Sequence, residues 1–136
     1  MAYLIDTDIL IYLIKGNHSI DRRIQETESI PKAISVITFG ELLFGAKRSV
    51  QKEKNIAIVY RLSEVFPIIE INRSTIETFT EIKATLEKNG ERIEDFDLLI
   101  AATALSMNYT LVTNNTKHYQ RIDGIKLENW KEKNAG

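Results

Sequence analysis

The chain has 136 residues, of which 43% are hydrophobic and 27% are charged, and its formal net charge is −1. Its length predicts one domain, over residues 1–130, with a polar and frayed tail at residues 131–136. The sequence has no cysteine, which excludes disulfides and thiolate zinc sites and favours a cytoplasmic protein. It has no apolar stretch long enough for a membrane span. It also lacks the strongly basic composition that would indicate nucleic-acid binding.

Strand-like and helical segments alternate along the chain, as the spacing of apolar residues indicates. In chain order the predicted segments are strand 2–5, helix 9–14, helix 20–27, strand 33–37, helix 38–47, helix 51–63, strand 65–71, helix 74–88, helix 96–107, strand 110–113, helix 115–121 and strand 125–127. Pro67 cannot donate a ladder hydrogen bond and therefore predicts an edge strand or a strand start. The alternation predicts an α/β fold with a mostly parallel sheet.

Three acidic residues lie at the edges of apolar segments. Asp6 follows the first strand, Glu41 opens the helix after the second strand, and Asp97 opens the apolar helix at residues 96–107. Because the carboxyl ends of parallel strands share one edge of a sheet, we expect the three side chains to converge there. Without a cation, mutual repulsion should raise the pKa of at least one of them. With two histidines and no cysteine in the chain, oxygen ligands for Mg²⁺ or Mn²⁺ are the natural interpretation.

Each acid also has a purely structural explanation. Glu41 could close a capping box with Thr38. Asp95 and Asp97 could be the N-cap and a first-turn residue of the helix that follows. Asp6 and Asp8 could cap the helix near residue 9, and capping is the favoured interpretation for Asp8. Three acids expected at one sheet edge favour a functional site over three separate caps.

Four motifs carry a resemblance to a known family: LIDTD at residues 4–8, SVITFGELLFG at 35–45, DLLIAATA at 97–104 and LVTNN at 111–115. In this order, and with the LENW of residues 127–130, they resemble the successive motifs of PIN domains. The likeness is closest to the VapC-type toxins of bacterial toxin–antitoxin pairs. It covers essentially the whole chain.

The resemblance implies a three-layer α/β/α sandwich around a mostly parallel sheet. It also implies a Mg²⁺- or Mn²⁺-dependent endoribonuclease that cleaves RNA, with transfer RNA as one candidate, through a metal-activated water. The catalytic set carries over onto Asp6, Glu41 and Asp97, with Asp6 and Asp97 as metal ligands. Many members have a fourth acid where this chain has Asn115, which leaves the choice between one and two metals open.

The implied partners are a homodimer mate and a cognate antitoxin, which would present an Arg or Lys to the carboxylates. Two other functions stay open on the sequence. One is a PIN-like module that binds RNA or protein without cleaving. The other is a haloacid-dehalogenase-type phosphatase with Asp6 as nucleophile and Asp8 as general acid.

Further side chains near the predicted edge have a functional and a structural interpretation. Thr113, at a strand end, is expected to hydrogen-bond a site carboxylate. Basic residues that could bind RNA phosphates, or simply be solvated, are Arg73, Lys88, Arg92, Lys117, His118 and Arg121. Tyr3, Tyr119 and Trp130 could stack on bases, although packing inside the protein is the favoured interpretation.

Overall fold

The computed structural model describes residues 1–132, and the rest of the predicted tail, residues 133–136, lies outside the described residues. The strands are β1 (Tyr3–Ile5), β2 (Lys32–Ser35), β3 (Ile68–Ile69), β4 (Thr110–Val112) and β5 (Leu127–Glu128). The helices are α1 (Thr7–Ile14), α2 (His18–Glu26), α3 (Val36–Lys47), α4 (Lys52–Val65), α5 (Arg73–Lys88), α6 (Asp95–Met107) and α7 (Thr116–Tyr119). Every predicted segment corresponds to one of these elements, with its ends shifted by a few residues.

The five strands form one sheet in the order β3-β2-β1-β4-β5, and every neighbouring pair is parallel. In the central pair, Leu4 lies opposite Leu111 and Ile5 opposite Val112. The strand after Pro67 is at one edge of the sheet, as predicted. Because all strands run the same way, their carboxyl ends lie along a single edge.

Side chains alternate between the two faces of the sheet, and each face has its own core. Ile5 and Val112 pack with residues from α1, α2, α3 and α4, whereas Leu4 and Leu111 pack with residues from α5, α6 and α7. Helices on both faces of a parallel sheet give the predicted three-layer α/β/α sandwich. No helix within residues 1–132 combines the length and the apolarity needed to cross a membrane.

The start of α3 differs from the prediction. The helix begins at Val36, and the Ser35 hydroxyl accepts hydrogen bonds from the backbone N–H groups of Ile37 (2.9 Å) and Thr38 (3.4 Å). Ser35 ends β2 and therefore already has the extended backbone that an N-cap needs. The predicted capping box between Thr38 and Glu41 is therefore wrong, and Glu41 is left for another contact.

Two smaller predictions, on the start of α6 and on the C-terminal tail, also need correction. Glu94, not Asp95, occupies the N-cap position of α6, and it makes no side-chain capping bond. The tail is attached at its beginning, because the Glu132 backbone N–H donates to the Ser19 hydroxyl at 3.1 Å. The division into one domain at residues 1–130 and a tail stays a prediction.

The three aromatic residues considered for base stacking are buried in the protein. Tyr3, Tyr119 and Trp130 are each at most 2% exposed. The rings of Tyr3 and Trp130 meet edge to face with centroids 4.9 Å apart. The interpretation of these residues as core is confirmed.

Candidate active site

The carboxyl edge of the sheet gathers the predicted acids and one more. Asp6 comes directly after β1, Glu41 lies in α3 and Asp97 in the first turn of α6. Burial raises the pKa of the Tyr119 phenol, and the negative charges of four carboxylates raise it further: Asp6, Asp97, Asp8 and Glu41. The phenol therefore stays neutral, and the four carboxylates, here called the acidic cluster, all lie within electrostatic range of it.

Asp6 is held by two donors from different parts of the chain. Its Oδ1 accepts from the Thr7 backbone N–H at 2.8 Å, which caps α1, and its Oδ2 accepts from the Thr113 hydroxyl at 2.8 Å. The Thr113 oxygen itself accepts from the Asn115 backbone N–H at 3.0 Å, so its own proton is left for Asp6. The predicted bond between Thr113 and a site carboxylate is confirmed.

The pKa of Asp6 is raised from 3.8 to about 7. Burial is the main cause, followed by the charge of Asp8 and, more weakly, that of Asp97; the hydrogen bonds from Thr113 and Thr7 act in the opposite direction. The expected rise in the pKa of one carboxyl is present, but its main cause is burial and not the expected repulsion among Asp6, Glu41 and Asp97. A cation beside Asp6 would offset the unfavourable free energy of keeping this buried carboxylate ionised.

Asp8 connects the first turn of α1 with the loop after β4. Its Oδ1 accepts from the Ile9 backbone N–H at 2.7 Å, and its Oδ2 accepts from the Asn114 backbone N–H at 3.0 Å. Burial is the main cause of its raised pKa. The N-cap of α1 is Asp6 and not Asp8. Asp8 is instead a fourth carboxylate of the cluster, and it holds the loop after β4 through Asn114.

Glu41 is held by a residue that the sequence interpretation missed. The Thr7 hydroxyl donates to Glu41 Oε1 at 2.7 Å and lies 3.1 Å from the hydroxyl of the buried Thr38. Thr7 stands between two acids of the site in the sequence, and that position was the available signal. Its hydroxyl joins the first helix to the third.

Asp97 has a more open environment than Asp6. Its side chain is 36% exposed, and its Oδ2 lies 3.3 Å from His118 Nε2. His118 in turn contacts Arg121, whose guanidinium Nη2 lies 3.1 Å from the imidazole Nδ1. These two of the predicted phosphate-binding residues are thus engaged inside the protein, whereas Lys117 is exposed beside them.

The donor set can be compared with what a divalent metal requires. Within residues 1–132, no three acidic or histidine side chains lie close enough together to hold one ion between them. Mg²⁺, however, is usually bound through one or two carboxylates and keeps several waters. The carboxylates of Asp6 and Asp97 fit such a cation in number and chemistry.

Three cavities adjoin the acidic cluster. A polar one of about 390 Å³ is lined by Asn114, Asn115, Thr116, Lys117, Asn129, Lys131 and Glu132. Two predominantly apolar ones, about 340 and 330 Å³, share Glu41 in their walls. Phe44 and Phe96 line the first of these two, and their side chains are 61% and 58% exposed. Glu41 therefore lines apolar cavities, whereas the polar cavity includes Asn114, whose backbone N–H donates to Asp8.

Comparison with known proteins gives consistent results. A family model described as PIN domain matches residues 3–125. A protein of Rickettsia felis named Ribonuclease VapC2 is 37% identical over 134 residues, which cover 96% of this chain and 98% of that protein. A Shigella flexneri protein named tRNA(fMet)-specific endonuclease VapC is 28% identical over 130 residues, with the same coverage.

Solved structures have the same architecture. A chain in the crystal structure of VapBC2 from Rickettsia felis, bound to a DNA fragment from its promoter, superposes with a TM-score of 0.91 at 35% identity. That match covers 96% of this chain and 99% of the other. A chain of VapBC-1 from nontypeable Haemophilus influenzae gives a TM-score of 0.88 at 34% identity and covers 97% of this chain and all of the other.

Proposed function

This chain belongs to the PIN domain family, and we propose on that premise that it is the toxin of a toxin–antitoxin pair, an endoribonuclease that hydrolyses RNA phosphodiester bonds. One observation carries the proposal: Asp6 and Glu41 are joined through Thr7 at the carboxyl end of β1, and Asp97 adds to their negative charge, in a chain 37% identical to a named ribonuclease. The family assignment excludes the dehalogenase-type phosphatase. The expected place of action is the cytoplasm, and the homodimer stays a prediction.

PIN-domain ribonucleases generally depend on a divalent metal, and here Asp6 and Asp97 would hold Mg²⁺ or Mn²⁺. When bound, such a cation lowers the pKa of water and neutralises developing charge on phosphate oxygens. Thr113 and the Thr7 backbone N–H keep Asp6 in one orientation. Glu41, held by the Thr7 hydroxyl, would accept a hydrogen bond from the attacking water and orient it.

The RNA substrate is expected to reach the acids across the polar cavity. Lys117 and Lys131 in its wall supply positive charge for the phosphates next to the cleaved bond, and the amides of Asn114 and Asn129 supply hydrogen-bonding groups. Transfer RNA is the substrate class we propose, because two relatives are named tRNA(fMet)-specific endonucleases. Initiator transfer RNA is therefore the first substrate to test.

The antitoxin is expected to cover the opposite, apolar side of the cluster. The structural neighbours include complexes of VapBC pairs. In this chain, the two apolar cavities beside Glu41 expose Phe44, Phe96 and Ile14 to a partner. An apolar antitoxin segment with one Arg or Lys would fill these cavities and place a cation among the carboxylates.

The proposal is tested with purified toxin freed of any partner. Total RNA and transfer RNA are incubated with the protein in Mg²⁺, in Mn²⁺ and in EDTA, and the products are separated by size. We expect a few discrete fragments in either metal and none in EDTA. Binding of RNA without cleavage in both metals would contradict the proposal and favour the non-catalytic binding module.

Two variants of the same helix sharpen the test. Asp97→Asn removes a proposed metal ligand, whereas Asp95→Asn changes an exposed acid two residues away that pairs with Lys83 at 2.9 Å. We expect cleavage to be lost in Asp97→Asn and kept in Asp95→Asn. Equal activity in the two variants would show that the proposed role of Asp97 is wrong.

A further inference from the structure

A short chain of polar contacts ends on the carboxylate of Asp97. His118, in α7, places its Nε2 3.3 Å from Asp97 Oδ2. On the other side of the imidazole ring, Arg121 Nη2 lies 3.1 Å from Nδ1. Arg121 is itself held, since it donates to the carbonyl oxygens of His118 and Arg92, each at 3.1 Å, and lies 3.7 Å from Glu91 Oε2.

The contact with Arg121 determines which imidazole nitrogen carries the proton. A guanidinium has donors only, so Nδ1 of His118 must accept in this pair. The ring proton is then on Nε2, the nitrogen that faces Asp97. His118 therefore presents an N–H to the carboxylate and no lone pair, which suits a donor to a metal-binding carboxylate and not a metal ligand.

We propose that His118 is a positioning residue for Asp97, with Arg121 holding the imidazole in the tautomer that donates to the carboxylate. The inference rests on the proposed function, in which Asp97 binds the cation. Carboxylates that bind metals are commonly oriented by a hydrogen bond to their remaining oxygen, and loss of such a partner typically weakens metal binding. In the described part of the chain, Asp6 has the equivalent support from Thr113.

The present geometry leaves room for this bond to tighten. Nε2 of His118 is buried and lacks a well-aligned hydrogen bond within residues 1–132, although Asp97 Oδ2 is at 3.3 Å. Hydrogen bonds at catalytic sites are often long or misaligned in the free protein and improve in the complex. A modest rotation of the half-exposed Asp97 side chain would align the pair and satisfy Nε2.

The first test measures Mn²⁺ affinity of the full chain, freed of partner and metal, by calorimetry. His118→Leu removes the donor, His118→Gln keeps an N–H at the position of Nε2, and His118→Asn keeps one only at the position of Nδ1. We expect the Leu and Asn variants to bind Mn²⁺ about 10-fold to 100-fold more weakly and the Gln variant to be restored to within about 3-fold. Thermal unfolding of each variant checks that the fold is kept.

The second test observes the tautomer directly in the metal-free protein. Long-range ¹H–¹⁵N correlation spectra of the imidazole distinguish a protonated Nε2 from a protonated Nδ1. We expect the proton on Nε2 in the parent protein and a mixture of tautomers in Arg121→Leu, together with weaker Mn²⁺ binding. A proton on Nδ1 in the parent, or a His118→Gln variant that binds as weakly as His118→Leu, would overturn the inference.

These measurements separate the inference from the function on which it rests. A parent protein that binds Mn²⁺ in an Asp97-dependent way but cleaves no RNA would contradict the proposed function, and the affinities of the variants would still decide the role of His118. A parent that cleaves RNA, with unchanged Mn²⁺ affinity and kcat in His118→Leu, would overturn the role of His118 alone.

Discussion

The two sides of the acidic cluster are built differently. On one side, Asp6 is buried and Asp8 is partly buried, and each carboxylate accepts one hydrogen bond from the first turn of α1 and one from the segment after β4. On the other side, Asp97 is half-exposed, and within residues 1–132 its one neighbour at ion-pair distance is His118. The first side is held in place before any ligand arrives, and the second can adjust.

This difference separates two physical tasks. The buried side concentrates negative charge where water cannot screen it, and the raised pKa of Asp6 is the cost of doing so. The exposed side gives access to solvent and to a large substrate. If the site holds the proposed cation, Asp6 on the buried side and Asp97 on the exposed side would be its two carboxylate ligands.

The largest effect is expected when each side loses its carboxylate. Asp6→Asn and Asp97→Asn should both lower kcat/KM for RNA by roughly 10³-fold or more, since a bound metal contributes several kcal/mol to the transition state. Only Asp6→Asn should also stabilise the metal-free protein at pH 8, because only Asp6 is a deeply buried charge there. Urea unfolding in EDTA measures this, and equal stabilisation by both variants would remove the distinction between the two sides.

The next effect is a dependence of metal-free stability on pH. The carboxyl of Asp6 has a pKa of 3.8 in an unfolded chain and about 7 in the fold, so the folded state binds more protons between these values. The free energy of unfolding should therefore fall as pH rises from about 4 to about 7, by an amount on the order of a few kcal/mol, and level off above. The decline should be much smaller in Asp6→Asn, and an equally steep decline in that variant would assign it to other groups.

A smaller effect is expected when the support of Asp6 is removed. Thr113→Val deletes the hydroxyl that donates to Asp6 Oδ2 and should weaken Mn²⁺ binding about 10-fold to 100-fold. Thr110→Val, at the other end of β4, is the matched control because it makes the same change in a buried threonine. Calorimetry on both variants gives the comparison, and equal affinities would show that Asp6 needs no such support.

The smallest effect is expected at Asp8. Asp8→Asn keeps an oxygen that can accept from the Asn114 backbone but removes a charge that raises the pKa of Asp6. We expect the rate of RNA cleavage to fall by about 10-fold or less, which is the lower limit of the loss typical for residues that support a metal ligand. The pH range over which metal-free stability declines should move downward. A loss as large as that of Asp6→Asn would make Asp8 a direct ligand.

Local pattern was enough to predict much of this molecule. Apolar periodicity gave the order of helices and strands, and the position of Asp6, Glu41 and Asp97 beside apolar segments predicted their convergence at one edge. The errors occurred where two local patterns compete. Thr38 and Glu41 match the sequence pattern of a capping box. The helix nevertheless begins earlier, because Ser35, at the end of β2, caps it by accepting from the backbone N–H groups of Ile37 and Thr38.

Apart from the bond between Thr113 and a site carboxylate, the contacts between distant parts of the chain that hold the site were not predicted. Thr7 donates to a residue 34 positions away, Asp8 accepts from a backbone N–H 106 positions away, and His118 turns toward Asp97 and not toward solvent. Each of these residues has several equally good partners when only the sequence is considered.

The sequence by itself determined the order of the elements and placed the three acids beside apolar segments, because spacing along a helix or a strand decides which side chains share a face. The layers on both faces of the sheet followed from the family resemblance. The tertiary structure decided the partner of each carboxylate and, through burial, the raised pKa of Asp6. The physical reason is that hydrogen bonds act over about 3 Å. Whether two distant groups come that close depends on the register of the parallel strands and on the packing of helices over them.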